Sequence, residues 1–181
     1  MRRPTPRVVL SASLSAAVLA LTPIAPAAAA TLTMTDRNES GTLSDVRRVT
    51  VSHQYNAPGS AGRVRVVARV GSVGYGDRFD LWIDTPGSRR NYNATVYPEA
   101  GYDAIQKVLG WRTRGEDGCL DWEARSSTGR DRTVLISIPR RCLGNPERVR
   151  IGVRAVYRFN QGTLRDWVPA ARTFSRWVNV S

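Results

Sequence analysis

Alternation of apolar and polar residues restricts this chain more than any other feature. Val49, Val51 and His53 alternate with Arg48, Thr50 and Ser52. Val64, Val66, Ala68 and Val70 alternate with Arg63, Arg65, Val67 and Arg69. Similar runs occur at Phe79–Asp84, Asn91–Tyr97, Thr133–Ile138 and Arg148–Phe159, with weaker ones at Ala104–Trp111 and Leu120–Arg125. A last short strand is expected at Phe174–Val178. In a strand every second side chain lies on one face; a helix with 3.6 residues per turn would scatter the same pattern. Turn-forming stretches such as NAPGSAG (56–62) and TPGS (85–88) separate the runs. No window of ten residues carries a helical period. The predicted fold is all-β: a single-domain antiparallel β-sandwich of eight or nine strands, each with one apolar and one solvated face.

The first thirty residues read differently. Arg2, Arg3 and Arg7 precede an apolar stretch from Val8 to about Leu21, and Ala27–Ala30 follow Pro23 and Pro26. This is the order of a secretory signal peptide, with cleavage expected after Ala30 or, next, Ala29. The alternative is a membrane anchor, but the stretch falls short of the roughly 20 apolar residues a span needs. The division expected is leader 1–30, extended lead-in 31–45 and sandwich 46–181, in a secreted, extracellular protein with no membrane span.

Secretion gives the cysteines a meaning. Cys119 and Cys142 are the only pair, and an oxidising compartment favours a disulfide between them over two free thiols. With one His and two Cys, a zinc site built on those ligands is excluded. No cofactor is expected.

The formal charge is +12 over 181 residues, and Lys107 is the only lysine among 27 cationic side chains. So strong a bias towards Arg reflects GC-rich coding before it reflects function. The leader holds three of these arginines, so most of the charge stays with the secreted chain. Arg63, Arg65 and Arg69 share one strand face, as do Arg148, Arg150, Arg154 and Arg158. Such rows create a field that attracts polyanions. With a leader present and no nucleic-acid motif, the partner expected is extracellular, not intracellular nucleic acid.

Few residues suggest catalysis. His53 is the only imidazole, and no G-x-S-x-G elbow accompanies it. Asp121 and Glu123 would share a strand face, as glycosidase carboxylates must share a cleft, but nearby arginines are the simpler partners. Asp77, Asp80, Asp84, Asp103, Glu116 and Asp117 offer oxygen ligands without a calcium-loop motif. The chain is therefore expected not to be an enzyme. The more specific candidate is Trp82, on the polar side of its strand between Asp80 and Asp84. Asn93 and Tyr97 take the same side of the next strand. A flat aromatic ring beside hydrogen-bonding groups suits a sugar. The alternative is that a loop or the lead-in covers Trp82 and makes it core. The ligand-binding residues expected are Trp82, Tyr97, Asn93 and Asp80.

LSDVRRVTV (43–51), Arg63–Val70, FDLWIDT (79–85) and VLISIPRRCLG (134–144) together resemble family-nine carbohydrate-binding-module-like (DOMON-like) sandwiches. DWVP (166–169) and FSRWV (174–178) resemble the tail of small secreted proteins of high-GC Gram-positive bacteria. The resemblance spans roughly residues 40 to 178 and implies a β-sandwich that binds a sugar or another small ligand. The paired aromatic sandwich and calcium ligands of sugar-binding members have no matching residues here. Heme-binding relatives use His or Met, and only His53 and Met34 are at hand. The function expected is a monomeric, non-enzymatic binding module for a polysaccharide or an anionic wall polymer. The second reading is an extracellular protein-interaction or structural module with no small ligand.

Overall fold

The structure is a computed structural model that describes residues 30–36, 45–54, 62–71, 76–98, 102–127, 132–160 and 162–181. The leader expected at residues 1–30 lies outside the described residues, apart from Ala30. Two antiparallel sheets pack face to face, as the alternation requires. The first contains β1 (Ala30–Thr35), β2 (Val46–His53), β3 (Arg63–Val70), β9 (Arg132–Pro139) and β8 (Glu123–Ser126), in that order. The second follows the order β11 (Gly162–Val168), β10 (Arg148–Phe159), β4 (Arg78–Asp84), β5 (Asn91–Tyr97), β6 (Tyr102–Val108) and β7 (Glu116–Asp117). The two-residue β12 (Val178–Asn179) pairs with the start of β10.

The inner faces are the apolar rows of the sequence. Val49, Val51, Val64, Val66, Ala68, Ile136 and Ile138 meet Phe79, Leu81, Ile83, Ile151 and Val153 in one buried cluster. Most of these residues are β-branched and suit a half-buried pleated surface. At about 25 cal/mol per Å² of apolar surface removed from water, this cluster is the main source of stability.

Among the described residues, twelve strands stand where eight or nine are expected. The segment read as an extended lead-in contains β1, whose Leu32 and Met34 alternate with Thr31, Thr33 and Thr35 and pair with β2. β11 is the larger omission. Its inward positions are Leu164, Asp166 and Val168, opposite Tyr157, Ala155 and Val153. Asp166 breaks the apolar row, so the strand is hidden in the sequence. The Asp166 carboxylate accepts a 2.6 Å hydrogen bond from the Val46 N–H and so ties one sheet to the other. Burial, with Asp36 and Asp45 nearby, raises its pKa above the usual carboxylate value, while the Val46 and Trp167 N–H groups oppose the rise.

The predicted strand at Phe174–Val178 is mostly not one. The strand is confined to Val178–Asn179. Upstream, Ser175 replaces the ladder with its side chain: its N–H donates to the Ile151 carbonyl at 2.7 Å, and its Oγ accepts from the Ile151 N–H at 3.1 Å. The disulfide forms as expected, with Cys119 and Cys142 Cα atoms 5.3 Å apart. It pins the segment before β8 to the 3-10 turn Arg140–Leu143.

Candidate functional site

Register places the expected binding row on the outer face of the second sheet. Trp82 sits opposite Asn93 on one side and Gly152 on the other; Asp80 sits opposite Thr95 and Arg154. The residues are together, as the alternation predicts, but the surface is closed. Trp82, Asp80 and Asn93 are at most 1% exposed. Only Tyr97, at the end of β5, is half-exposed.

Other aromatic residues form the cover. The Trp167 ring on β11 stacks on Trp82 with centroids 5.2 Å apart. The Trp111 ring meets Trp82 edge-on at 5.3 Å, and Phe174 stacks on Trp111 at 4.4 Å. The Trp82 indole N–H donates to the Arg112 carbonyl at 2.9 Å and fixes the covering loop. Gly152 makes room for this arrangement. A Cβ there would lie 2.7 Å from Trp111 Cη2 and 3.0 Å from the Thr173 carbonyl, so any side chain would push the indole away. The reading of Trp82 as an exposed sugar platform is corrected on this geometry. Its outward position is real, but four aromatic rings make a second, smaller core on that face.

The charged residues of this face are used internally. Arg154 donates to one Asp80 oxygen through Nε at 3.0 Å and Nη2 at 2.6 Å, and Arg78 lies 3.1 Å from the same oxygen. The Thr95 hydroxyl lies 3.0 Å from the other Asp80 oxygen and 2.9 Å from the Asn93 amide oxygen. The Asn93 NH2 group donates to the Leu81 carbonyl. The Arg154 guanidinium also lies 4.9 Å from the Trp82 ring centroid and 5.0 Å from that of Trp167. Arg150 pairs with Asp84 at 2.6 Å, and both Arg150 and Arg148 lie over Trp177. The β10 arginine row is therefore largely spent on carboxylates and rings.

The two arginine rows do not lie side by side. β3 belongs to the first sheet and β10 to the second, so the rows occupy opposite outer faces of the sandwich. Among the described residues, the first sheet's outer face is the open one. Across it, β1 contributes Thr31, Thr33 and Thr35, β2 contributes Arg48, Thr50 and Ser52, and β3 contributes Arg63, Arg65, Val67 and Arg69. Thr133, Leu135 and Ser137 of β9 and Glu123 and Arg125 of β8 complete it. Arg63 is held by Ser137 through Oγ at 2.6 Å and the carbonyl at 3.0 Å, and Arg125 pairs with Glu123 at 3.6 Å. Arg48, Arg65 and Arg69 are exposed and make no ion pair among the described residues. Arg48 faces Arg69 directly across β2 and β3, a like-charge juxtaposition that costs stability.

The remaining candidates serve structure. His53 is fully buried, and its Nδ1 lies 3.3 Å from the Val178 carbonyl. Burial lowers its pKa below the usual 6.5; the Val178 carbonyl opposes this and the buried Arg140 adds to it. It is a neutral core group, out of reach of a substrate. Asp121 and Glu123 are both exposed, and each contacts its own arginine, Arg141 and Arg125. Among the described residues no three acidic, His or Cys side chains gather as metal ligands. No helix among them is long and apolar enough to cross a membrane.

Sequence reasoning missed Trp111, Trp167, Phe174 and Trp177, which cover the second sheet from loops and an edge strand. One signal was available: Gly152 interrupts an arginine row in mid-strand, where glycine marks the close approach of another group. The chain matches no family model, no curated protein and no solved structure.

Proposed function

We propose that this chain is an extracellular, non-enzymatic binding module for an anionic wall polymer, and that the outer face of the five-stranded sheet is its working surface. The observation that carries this reading is the facing pair Arg48 and Arg69, exposed and without a carboxylate partner among the described residues. Arg65 extends the patch along β3, four residues and thus about 13 Å from Arg69. A chain of phosphate or carboxylate groups laid across β2 and β3 relieves the repulsion between the two guanidiniums and gains charge-assisted hydrogen bonds. The surrounding Thr and Ser hydroxyls suit the hydroxyl groups of such a polymer. The leader expected at residues 1–30 supports an extracellular setting, and the resemblance of the short strand motifs to carbohydrate-binding-module-like sandwiches agrees with a binding role.

The burial of Trp82 argues against neutral polysaccharide binding through that residue. The test compares retention of the protein on purified Gram-positive cell walls before and after chemical removal of their anionic polymers. Retention should depend on those polymers and fall as salt rises. Equal retention on stripped walls would overturn the reading.

A further inference from the structure

The loop that seals Trp82 also walls an open cavity of about 440 Å³ beside it, on the outer face of the seven-stranded sheet. We infer that this cavity is a second binding site, for a small hydroxylated oxyanion the size of one sugar unit. It is independent of the polymer face on the opposite sheet.

Charge gives the sign of the ligand. Arg78, Arg114 and Arg158 line the cavity, and among the described residues no carboxylate does. Asp80, the partner of the lining residues Arg78 and Thr95, is fully buried and already held by Arg154 and Arg78. Arg114 and Arg158 are exposed and make no ion pair among the described residues. Guanidinium groups converging on one space match carboxylate or phosphate oxygens in charge and in planar geometry.

The polar lining indicates hydroxyl groups on the ligand. Tyr97 and Gln106 share the cavity with Thr95, whose own hydroxyl is taken by Asp80 and Asn93. The Gln106 amide oxygen already accepts the Gly115 N–H at 3.2 Å, which leaves its NH2 end to donate. Tyr97 supplies an aromatic ring for the apolar face of a sugar. The volume falls within the roughly 300–1,000 Å³ usual for ligand sites.

The wall is also pre-formed. Asn91 donates to the Gly110 carbonyl at 3.2 Å, Trp82 holds Arg112, and Trp111 sits on Gly152. Gly115 lies so close to the Lys107 carbonyl that a Cβ would overlap it. The loop therefore needs little ordering when a ligand enters, which favours affinity.

The test is titration of the secreted chain with glucuronate, glucose 1-phosphate, inorganic phosphate and neutral glucose, followed by calorimetry and amide NMR. The two anionic sugars should bind, with shifts centred on Tyr97 and Gln106, and glucose should bind at least about tenfold more weakly. Inorganic phosphate should bind more weakly than glucose 1-phosphate, because it cannot use Tyr97 or Gln106. Replacing Arg114→Gln together with Arg158→Gln should weaken the anionic sugars about tenfold without lowering the melting temperature. Replacing Arg65→Gln with Arg69→Gln should leave them unaffected, which separates this site from the polymer face. No anionic-sugar binding at about 10 mM, equal binding of neutral glucose, or full binding by the Arg114/Arg158 double variant would each overturn the inference. If that variant melts lower, wild-type shifts that map away from Tyr97 and Gln106 overturn it instead.

Discussion

The Trp111 indole occupies the space that a side chain at position 152 would fill, and Gly152 is what allows it to lie against Trp82. One missing Cβ thus turns the polar face of a strand into a second core. Replacing Gly152→Ala should destabilise the fold by about 1–3 kcal/mol, the usual cost of overpacking. Denaturant unfolding measures the loss, and near-UV circular dichroism should show the tryptophan cluster disturbed. An unchanged midpoint and spectrum would mean that Trp111 does not pack there.

Asp80 is the charged counterpart of that packing. It is fully buried and bound by Arg154 and Arg78. Asp80→Asn leaves two arginines without their carboxylate and should cost about 3–5 kcal/mol. Trp82→Ala should cost a similar amount, about 3–5 kcal/mol, by opening a cavity. In both variants the expected loss is in the unfolding midpoint. Retention on anionic polymer, measured below the midpoint, should persist.

Much of this was legible in the sequence. The rows Val64–Val66–Ala68–Val70 and Phe79–Leu81–Ile83 point inward as their alternation predicts, and Cys119 pairs with Cys142. The grouping of Trp82, Asp80 and Asn93 on one face was legible too. Their exposure was not. Alternation reports which side of a strand a residue takes, but not what another segment lays over it. Trp111 reaches that face from a loop and Trp167 from a strand hidden by Asp166. The same limit applies to the arginine rows: each row was visible within its strand, while the sheet each strand joins depends on long-range pairing.

His53 gives a pH-dependent outcome with a clear sign. Its pKa in the folded state lies below 6.5, chiefly because it is buried. As pH falls below 6.5 the unfolded chain binds the proton first, so its contribution to stability is lost progressively until the folded-state pKa is reached. Above 6.5 it adds no pH dependence. Because the chain has one histidine, its imidazole NMR signals need no separate assignment. They should titrate below 6.5, and unfolding at pH 5 should show a loss relative to pH 7.5 that His53→Gln reduces. Titration at or above 6.5 would contradict the buried, neutral assignment.

The disulfide spans 23 positions and should contribute roughly 3 kcal/mol by restricting the unfolded chain. Replacing both cysteines with serine should lower the unfolding free energy by about that amount, roughly 2–4 kcal/mol, in equilibrium denaturation. Binding at the five-stranded sheet should persist in the folded variant, because the bridge sits at the β8 end of the sandwich and away from Arg48 and Arg69.

The central claim concerns three exposed arginines. The direct measurement is the affinity of the chain for a purified polyglycerol-phosphate wall polymer across a salt series. Wild type is compared with a variant carrying Arg48→Gln, Arg65→Gln and Arg69→Gln. The expected result is at least about a tenfold loss of affinity and a shallower salt dependence, since fewer counterions are released, with the melting temperature unchanged or raised. Equal affinity and equal salt dependence in the two proteins would contradict the account.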